Sequence, residues 1–173
     1  SQDMVLGSFY LTMDNKEAKG SGSIFASVNE AVSAYQRGVA ALHARVIIPV
    51  KALKKTSFTE EQNNALLCTT VGKIIFNEIF PPEFPYINEA TKANLINGVP
   101  EKYFIYEKGA DLLKILNDLP IAPAVGKDYL GTIIAECFRK YHTTKTSVIL
   151  DLIKDLGFTY STKAGITIGV ADV

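Results

Sequence analysis

The sequence predicts an α+β fold, in which short strands and a hairpin pack with several amphipathic helices, and three observations carry that reading. Helix-period apolar stripes recur behind cap residues, as after Ser27 and along Leu130 to Tyr141. A period-two run from Leu42 to Val50 is answered, across a polar stretch, by a second apolar run from Ala65 to Cys68. With 47% hydrophobic residues in 173, the chain has enough apolar surface to bury a substantial core.

Each element has its own local signal. Between Asp3 and Met13, the apolar residues Leu6, Phe9, Tyr10 and Met13 recur at helical spacing, with Ser1 or Asp3 able to cap the first turn. Asn15 to Gly22 is a polar, glycine-bearing loop, and Ser23 to Ala26 a candidate short strand. Ser27 and Glu30 have capping-box spacing, with Val28, Ala31, Val32 and Tyr35 as the inner face and Gly38 as the stop. Leu42 to Val50 alternates like a half-buried strand with one face open to water or a partner, and Pro49 pushes it toward an edge. Lys51 to Asn64 reads as a hairpin tip before the returning strand. Thr70 then caps a helix running to Phe80, which Pro81 and Pro82 end.

Six of the seven prolines fall in residues 81–125, which read as a helical excursion inserted into the domain. Two amphipathic stripes follow. The first comprises Leu130, Ile133, Ile134, Cys137, Phe138 and Tyr141; the second comprises Val148, Ile149, Leu152, Ile153 and Leu156. Gly157 is read as the stop of the last helix, and Ile166, Ile168 and Val170 as one side of a strand.

Composition narrows the functional classes. Eighteen basic and eighteen acidic residues cancel, so the chain is not a sequence-independent phosphate binder by net charge. Cys68 and Cys137 lie far apart, outside any Cys-x-x-Cys pair, and are expected to be buried and reduced. His43 and His142 have no Glu-x-x-His companion, and the glycine pairs do not form a phosphate loop. No apolar run of about 18 residues and no signal-peptide pattern occurs, so a cytoplasmic chain with no membrane partner is expected. A start at Ser1 without methionine and a stop just after a strand-like run suggest a piece of a longer chain. Arg139, Lys140, His142 and Lys145 gather at a helix end, where they either complement the helix dipole or face a nucleotide.

Five motifs, taken together and in order, are more specific than any one of them. They are Ser1-Gln-Asp-Met-Val-Leu-Gly7, Leu42-His-Ala-Arg-Val46, Thr69-Thr-Val-Gly-Lys73, Gly126-Lys127 before a long helix, and the Gly157-Phe-x-Tyr-x-Thr-x-Ala-Gly-Ile-x-Ile-Gly169 stretch. Over about residues 1–80 and 126–173 this set resembles the largest subunit, β′, of bacterial DNA-directed RNA polymerase. The resemblance implies a pore domain over 1–156, with a probable insertion at 81–125, and the start of the funnel region over 157–173. In that family the pore domain walls the secondary channel, through which nucleotides enter and backtracked RNA leaves. Gln2 is then expected near the channel's inner end, and Lys127 facing its lumen, where an ammonium meets phosphate. Lys127 also reads as an ordinary surface lysine at a helix start, although a cation there opposes the dipole.

The aspartate motif that binds the catalytic magnesium is absent from these residues. The resemblance therefore implies no catalytic residue, metal ligand or cofactor within this chain, with magnesium and zinc held elsewhere in the whole subunit. It further implies nucleotidyltransferase activity only within the assembly. The implied partners are the rest of β′, the β, α, ω and sigma subunits, secondary-channel transcript cleavage factors, and DNA and RNA through the assembly. In some relatives a regulatory guanosine-nucleotide pocket forms near ω, on a helix matching Thr144, Lys145, Val148, Asp151 and Asp155. Asp151 keeps the acidic position, but Thr144 stands where those relatives have lysine and Asp155 where they have tyrosine. Loss of a cation and a stacking ring predicts a defective pocket. The alternatives are a stand-alone protein-binding module, using an exposed strand edge and the Pro-rich insert, and a small nucleotide-dependent enzyme.

Overall fold

A computed structural model describes the chain apart from residues 1, 102, 106–108, 110 and 173, with backbone alone over 166–172. Its α+β character is as expected: helices surround a three-stranded antiparallel sheet of order β1-β2-β3. The strands are β1 (Arg45–Pro49), β2 (Leu66–Thr70) and β3 (Phe104–Ile105). Arg45 pairs with Thr70 and Pro49 with Leu66, so the expected hairpin forms, its tip folded into a short 3-10 turn and helix α3 (Glu60–Asn63). The helices preceding it are α1 (Gln2–Leu11) and α2 (Val28–Gln36). After β2 come α4 (Val71–Asn77), α5 (Lys92–Asn97), α6 (Leu112–Asp118), α7 (Lys127–Lys140) and α8 (Thr143–Asp172).

Local cap chemistry places several of these helices. The Ser27 side chain accepts from the Glu30 amide to start α2, and Thr70 accepts from the Lys73 amide to start α4. Two cores result. One surrounds the sheet and includes Val46, Ile48, Leu67, Ile74 and Tyr86. The other includes Leu11, Phe76, Phe84, Leu130, Ile133 and Ile153, between α1, α4, α7 and α8.

Strand β1 is not half-exposed. Arg45, Val46, Ile47 and Ile48 are all buried, because the loop before α2 covers the strand's outer edge. The Phe25 amide donates to the Ile47 carbonyl and the Ile47 amide to the Ser23 carbonyl, each at 2.9 Å. The strand expected at Ser23 to Ala26 is thus a single parallel bridge at Ile24, and it occupies the edge a binding module would have used.

Residues 81–125 are not wholly helical; they supply β3 and pack into both cores through residues such as Phe84, Tyr86, Ile87, Tyr103 and Leu116. Three buried asparagines fix this stretch to the sheet side. The Asn94 carboxamide oxygen accepts from the Asn88 and Glu89 amides, Asn77 bonds the Ile87 backbone in both directions, and Asn88 donates to the Cys68 carbonyl. These bonds satisfy backbone groups that would otherwise be buried and unpaired.

Gly157 does not stop a helix, and no strand follows it: α8 continues to Asp172. A glycine past a stripe usually signals an αL cap, but here it lies against α1. A Cβ on Gly157 would sit 2.5 Å from Met4 Cα, and one on Gly7 would sit 2.1 Å from the Gly157 carbonyl oxygen. The two glycines let the helix backbones touch. That crossing buries Gly7, Ser8 and Leu11 and leaves Leu6 and Phe9, two of the apolar residues at helical spacing, 45% and 44% exposed. Phe138, Val148 and Leu152 are likewise exposed members of the α7 and α8 stripes.

Lys73 is an internal cation, only 3% exposed, with its ammonium 5.9 Å from the Tyr103 ring centre. Burial pushes it from 10.5 down to about 8, and Lys55, which donates to the Pro81 carbonyl, is also pushed to about 8 by burial. Above pH 8 the unfolded chain therefore holds more protons than the folded one, so stability rises with pH. The window closes near pH 9, where unfolded thiols ionise while burial holds Cys68 up at about 12. We expect urea midpoints to rise from pH 7.5 to 9, and Lys73→Met to remove about half of that rise, given two lysines with similar shifts. An unchanged slope in Lys73→Met would show that Lys73 titrates normally.

Candidate functional site: a groove between α1 and α7

The groove is assembled from two distant parts of the sequence. Val125, just before α7, donates its amide to Thr12 Oγ1 at 2.8 Å, and that hydroxyl donates to the Ser8 carbonyl, also at 2.8 Å. Thr12 is 1% exposed, so the bond pins the α7 start to the end of α1 in a dry setting. The Ala122 amide adds a bond to Asp14 Oδ2 at 3.3 Å.

Between the pinned elements lies an open groove of about 940 Å³, lined by Gln2, Asp3, Val5, Leu6, Phe9, Gly126 and Lys127. Its lining carries an amide, a carboxylate and an ammonium beside the apolar Val5, Leu6 and Phe9. Gly126 is the N-cap of α7 and provides no side-chain cap, so the first-turn amides lack that partner. Gln2 and Lys127, the two residues expected along a channel, thus share one groove. Asp3, Val5, Leu6, Phe9 and Gly126 were not singled out by sequence reasoning as site residues. The available signal was Gly7 and Gly157, whose pairing rotates α1 and turns Leu6 and Phe9 outward.

The α8 residues are elsewhere. Thr144, Val148, Asp151 and Asp155 are exposed and follow one helical stripe. Lys145 leans away, 3.2 Å from a Glu83 carboxylate oxygen and 4.7 Å from the Tyr141 ring centre. Asp155 borders a shallow groove of about 310 Å³ with Ile75, Glu78, Ile79, Leu152, Leu156 and Thr159. Among the described residues two carboxylates and no cation line it, a setting that repels a polyphosphate. The remaining basic residues at the α7 end are largely engaged: Arg139 pairs with Glu136, and Lys140 donates to the Glu83 carbonyl.

The buried centre around Asp14, Arg45, Cys68 and Lys73 has no room for a ligand. Both cysteines are free and buried as expected, and burial raises Cys137 to about 11, so neither is an activated nucleophile. Among the described residues no group of three or more His, Cys, Asp or Glu is placed to hold a metal ion. No helix among them is long and apolar enough to cross a membrane.

The sequence matches the family model "RNA polymerase Rpb1, domain 3" over residues 1–173. It is 54% identical over 173 residues to the DNA-directed RNA polymerase subunit β′ of Halalkalibacterium halodurans, 52% to that of Shouchella clausii and 51% to that of Bacillus subtilis. Each match covers 100% of this chain and 14% of the subunit it matches. The chain spans about 14% of the length of these curated relatives, and along that whole span it belongs to the RNA polymerase Rpb1 domain 3 family.

Proposed function

We propose that this chain works as the pore domain of a β′ subunit, walling the channel by which nucleotides reach, and backtracked RNA leaves, the centre of a DNA-directed RNA polymerase. The observation that carries the reading is the groove that brings together Gln2 and Lys127, which lie far apart in the sequence. In this role the chain supplies a wall and its electrostatics, and the nucleotidyl transfer, with its magnesium, belongs to the rest of the assembly. The other polymerase subunits, cleavage factors, DNA and RNA are its partners through that assembly.

A wall cation raises the local concentration of a polyphosphate and speeds its entry without touching the chemical step. Lys127→Glu in the reconstituted polymerase is therefore expected to raise the KM for nucleotide by about threefold to tenfold while leaving kcat unchanged. The effect should shrink at high salt. Steady-state extension kinetics at two ionic strengths check this, and an unchanged KM at low salt would count against a channel-facing Lys127.

A further inference from the structure

The sequence holds one Asn-Gly pair, Asn97-Gly98, and the fold leaves Asn97 at the surface. Asparagine followed by glycine is the dipeptide most prone to lose its side-chain amide, because no Cβ hinders the glycine nitrogen as it reaches the carboxamide. Here Asn97 is the last residue of α5, and Gly98 is its left-handed cap at φ +79. Two hydrogen bonds hold the pair unreacted. The Gly98 amide donates to the Asn94 carbonyl at 3.1 Å, and Asn97 Nδ2 donates to Glu101 Oε1 at 2.7 Å. The second bond is exposed to solvent, and α5 has only six residues, so its last turn opens readily. Asn94 is the opposite case: it is 1% exposed, Leu95 follows it, and its carboxamide is tied to the Tyr86, Asn88 and Glu89 backbone.

We propose that Asn97-Gly98 is a site of spontaneous covalent modification, a succinimide-forming deamidation that Glu101 restrains. The Gly98 nitrogen bonds to Asn97 Cγ, the Cγ–Nδ2 bond breaks, and Nδ2 leaves as ammonia with the proton given up by Gly98. Water then adds to the ring. Opening at Cγ leaves aspartate, and opening at the Asn97 main-chain carbonyl leaves isoaspartate, with no change in oxidation state. Either product places a carboxylate at the C-terminal end of α5, where the helix dipole and the Glu101 carboxylate both oppose it. Asn94, on the same short helix, clasps residues 86–89, so the modification loosens the attachment of the 81–125 stretch.

The test uses reconstituted polymerase aged in mildly alkaline buffer and digested with trypsin, with conversion read by mass spectrometry relative to an unaged digest. Cleavage after Lys92 and Lys102 places Asn94 and Asn97 in one peptide, so Asn94 is the internal control. Conversion at Asn97 to isoaspartate and aspartate is expected, with Asn94 unconverted. Glu101→Ala should raise the rate about threefold to tenfold through loss of one exposed hydrogen bond, whereas Glu101→Gln, which keeps an acceptor oxygen, should stay near the parent. Asn97→Asp should speed hydrogen exchange at the Asn88 and Glu89 amides that Asn94 holds. No conversion at Asn97, or equal conversion at Asn94, would overturn the site. A rate unchanged or slower in Glu101→Ala would overturn the restraint, and unchanged exchange in Asn97→Asp would overturn the loosening.

Discussion

Gly157→Ala is expected to destabilise the chain strongly and to displace α1. The added Cβ would lie 2.5 Å from Met4 Cα, 3.1 Å from the Asp3 carbonyl oxygen and 3.2 Å from the Met4 amide nitrogen. All three are backbone atoms, so no side-chain rotation relieves the overlap and the helices must separate. Alanine gains about 1 kcal/mol over glycine in a helix interior, whereas overpacking costs about 1–3 kcal/mol and more against rigid backbone. The second effect wins, for a net loss of about 2 kcal/mol. Gly131→Ala separates the two effects, because a Cβ there meets nothing within 4 Å and only the helix gain remains. Urea unfolding should lower the Gly157→Ala midpoint and raise the Gly131→Ala midpoint slightly. A Gly157→Ala protein as stable as the parent would show that the crossing is looser than described. Since α1 carries Gln2, Leu6 and Phe9, the same substitution should also disturb the groove.

Arg45→Ala carries the other large effect. Arg45 is 1% exposed and pairs with Asp14 through two bonds of 2.8 Å. Its remaining donors go to the Leu116, Leu119 and Pro120 carbonyls. One side chain thus binds β1, the loop after α1 and the end of α6. Truncation leaves a buried carboxylate and several carbonyls without their donor, and breaking a buried pair from one side costs about 3–5 kcal/mol. Arg45→Lys keeps the charge but loses the planar fork, and should recover only part of that loss. Asp14→Asn with Arg45→Met should recover more, because no buried charge is left unpaired. Chemical denaturation of the four proteins checks the order. Equal stability of Arg45→Ala and the parent would mean that water replaces the fork.

Caps and periods are local chemistry, and they were legible. Ser27, at capping-box spacing from Glu30, and Thr70 start their helices as expected, and the apolar run from Ala65 to Cys68 returns antiparallel to β1 as strand β2. The two site residues Gln2 and Lys127 were reachable through motif resemblance alone. Composition contains nothing that joins positions so far apart, and their meeting depends on the Val125 to Thr12 hydrogen bond.

Two misreadings share one physical cause. Gly157 looked like a helix stop and β1 looked half-wet, because periodicity reports which face is apolar and not what covers it. By itself the sequence determined the α+β class, the caps at Ser27 and Thr70 and the family motifs, but not the type of every element, since α8 continues where a strand was expected after Gly157. Tertiary structure alone decided that two glycines meet at a helix crossing, that the loop at Ser23 to Phe25 seals β1, and that Phe9 faces a groove. Those outcomes turn on which distant backbones approach closely enough to exclude a side chain or water, a matter of packing that no local pattern encodes.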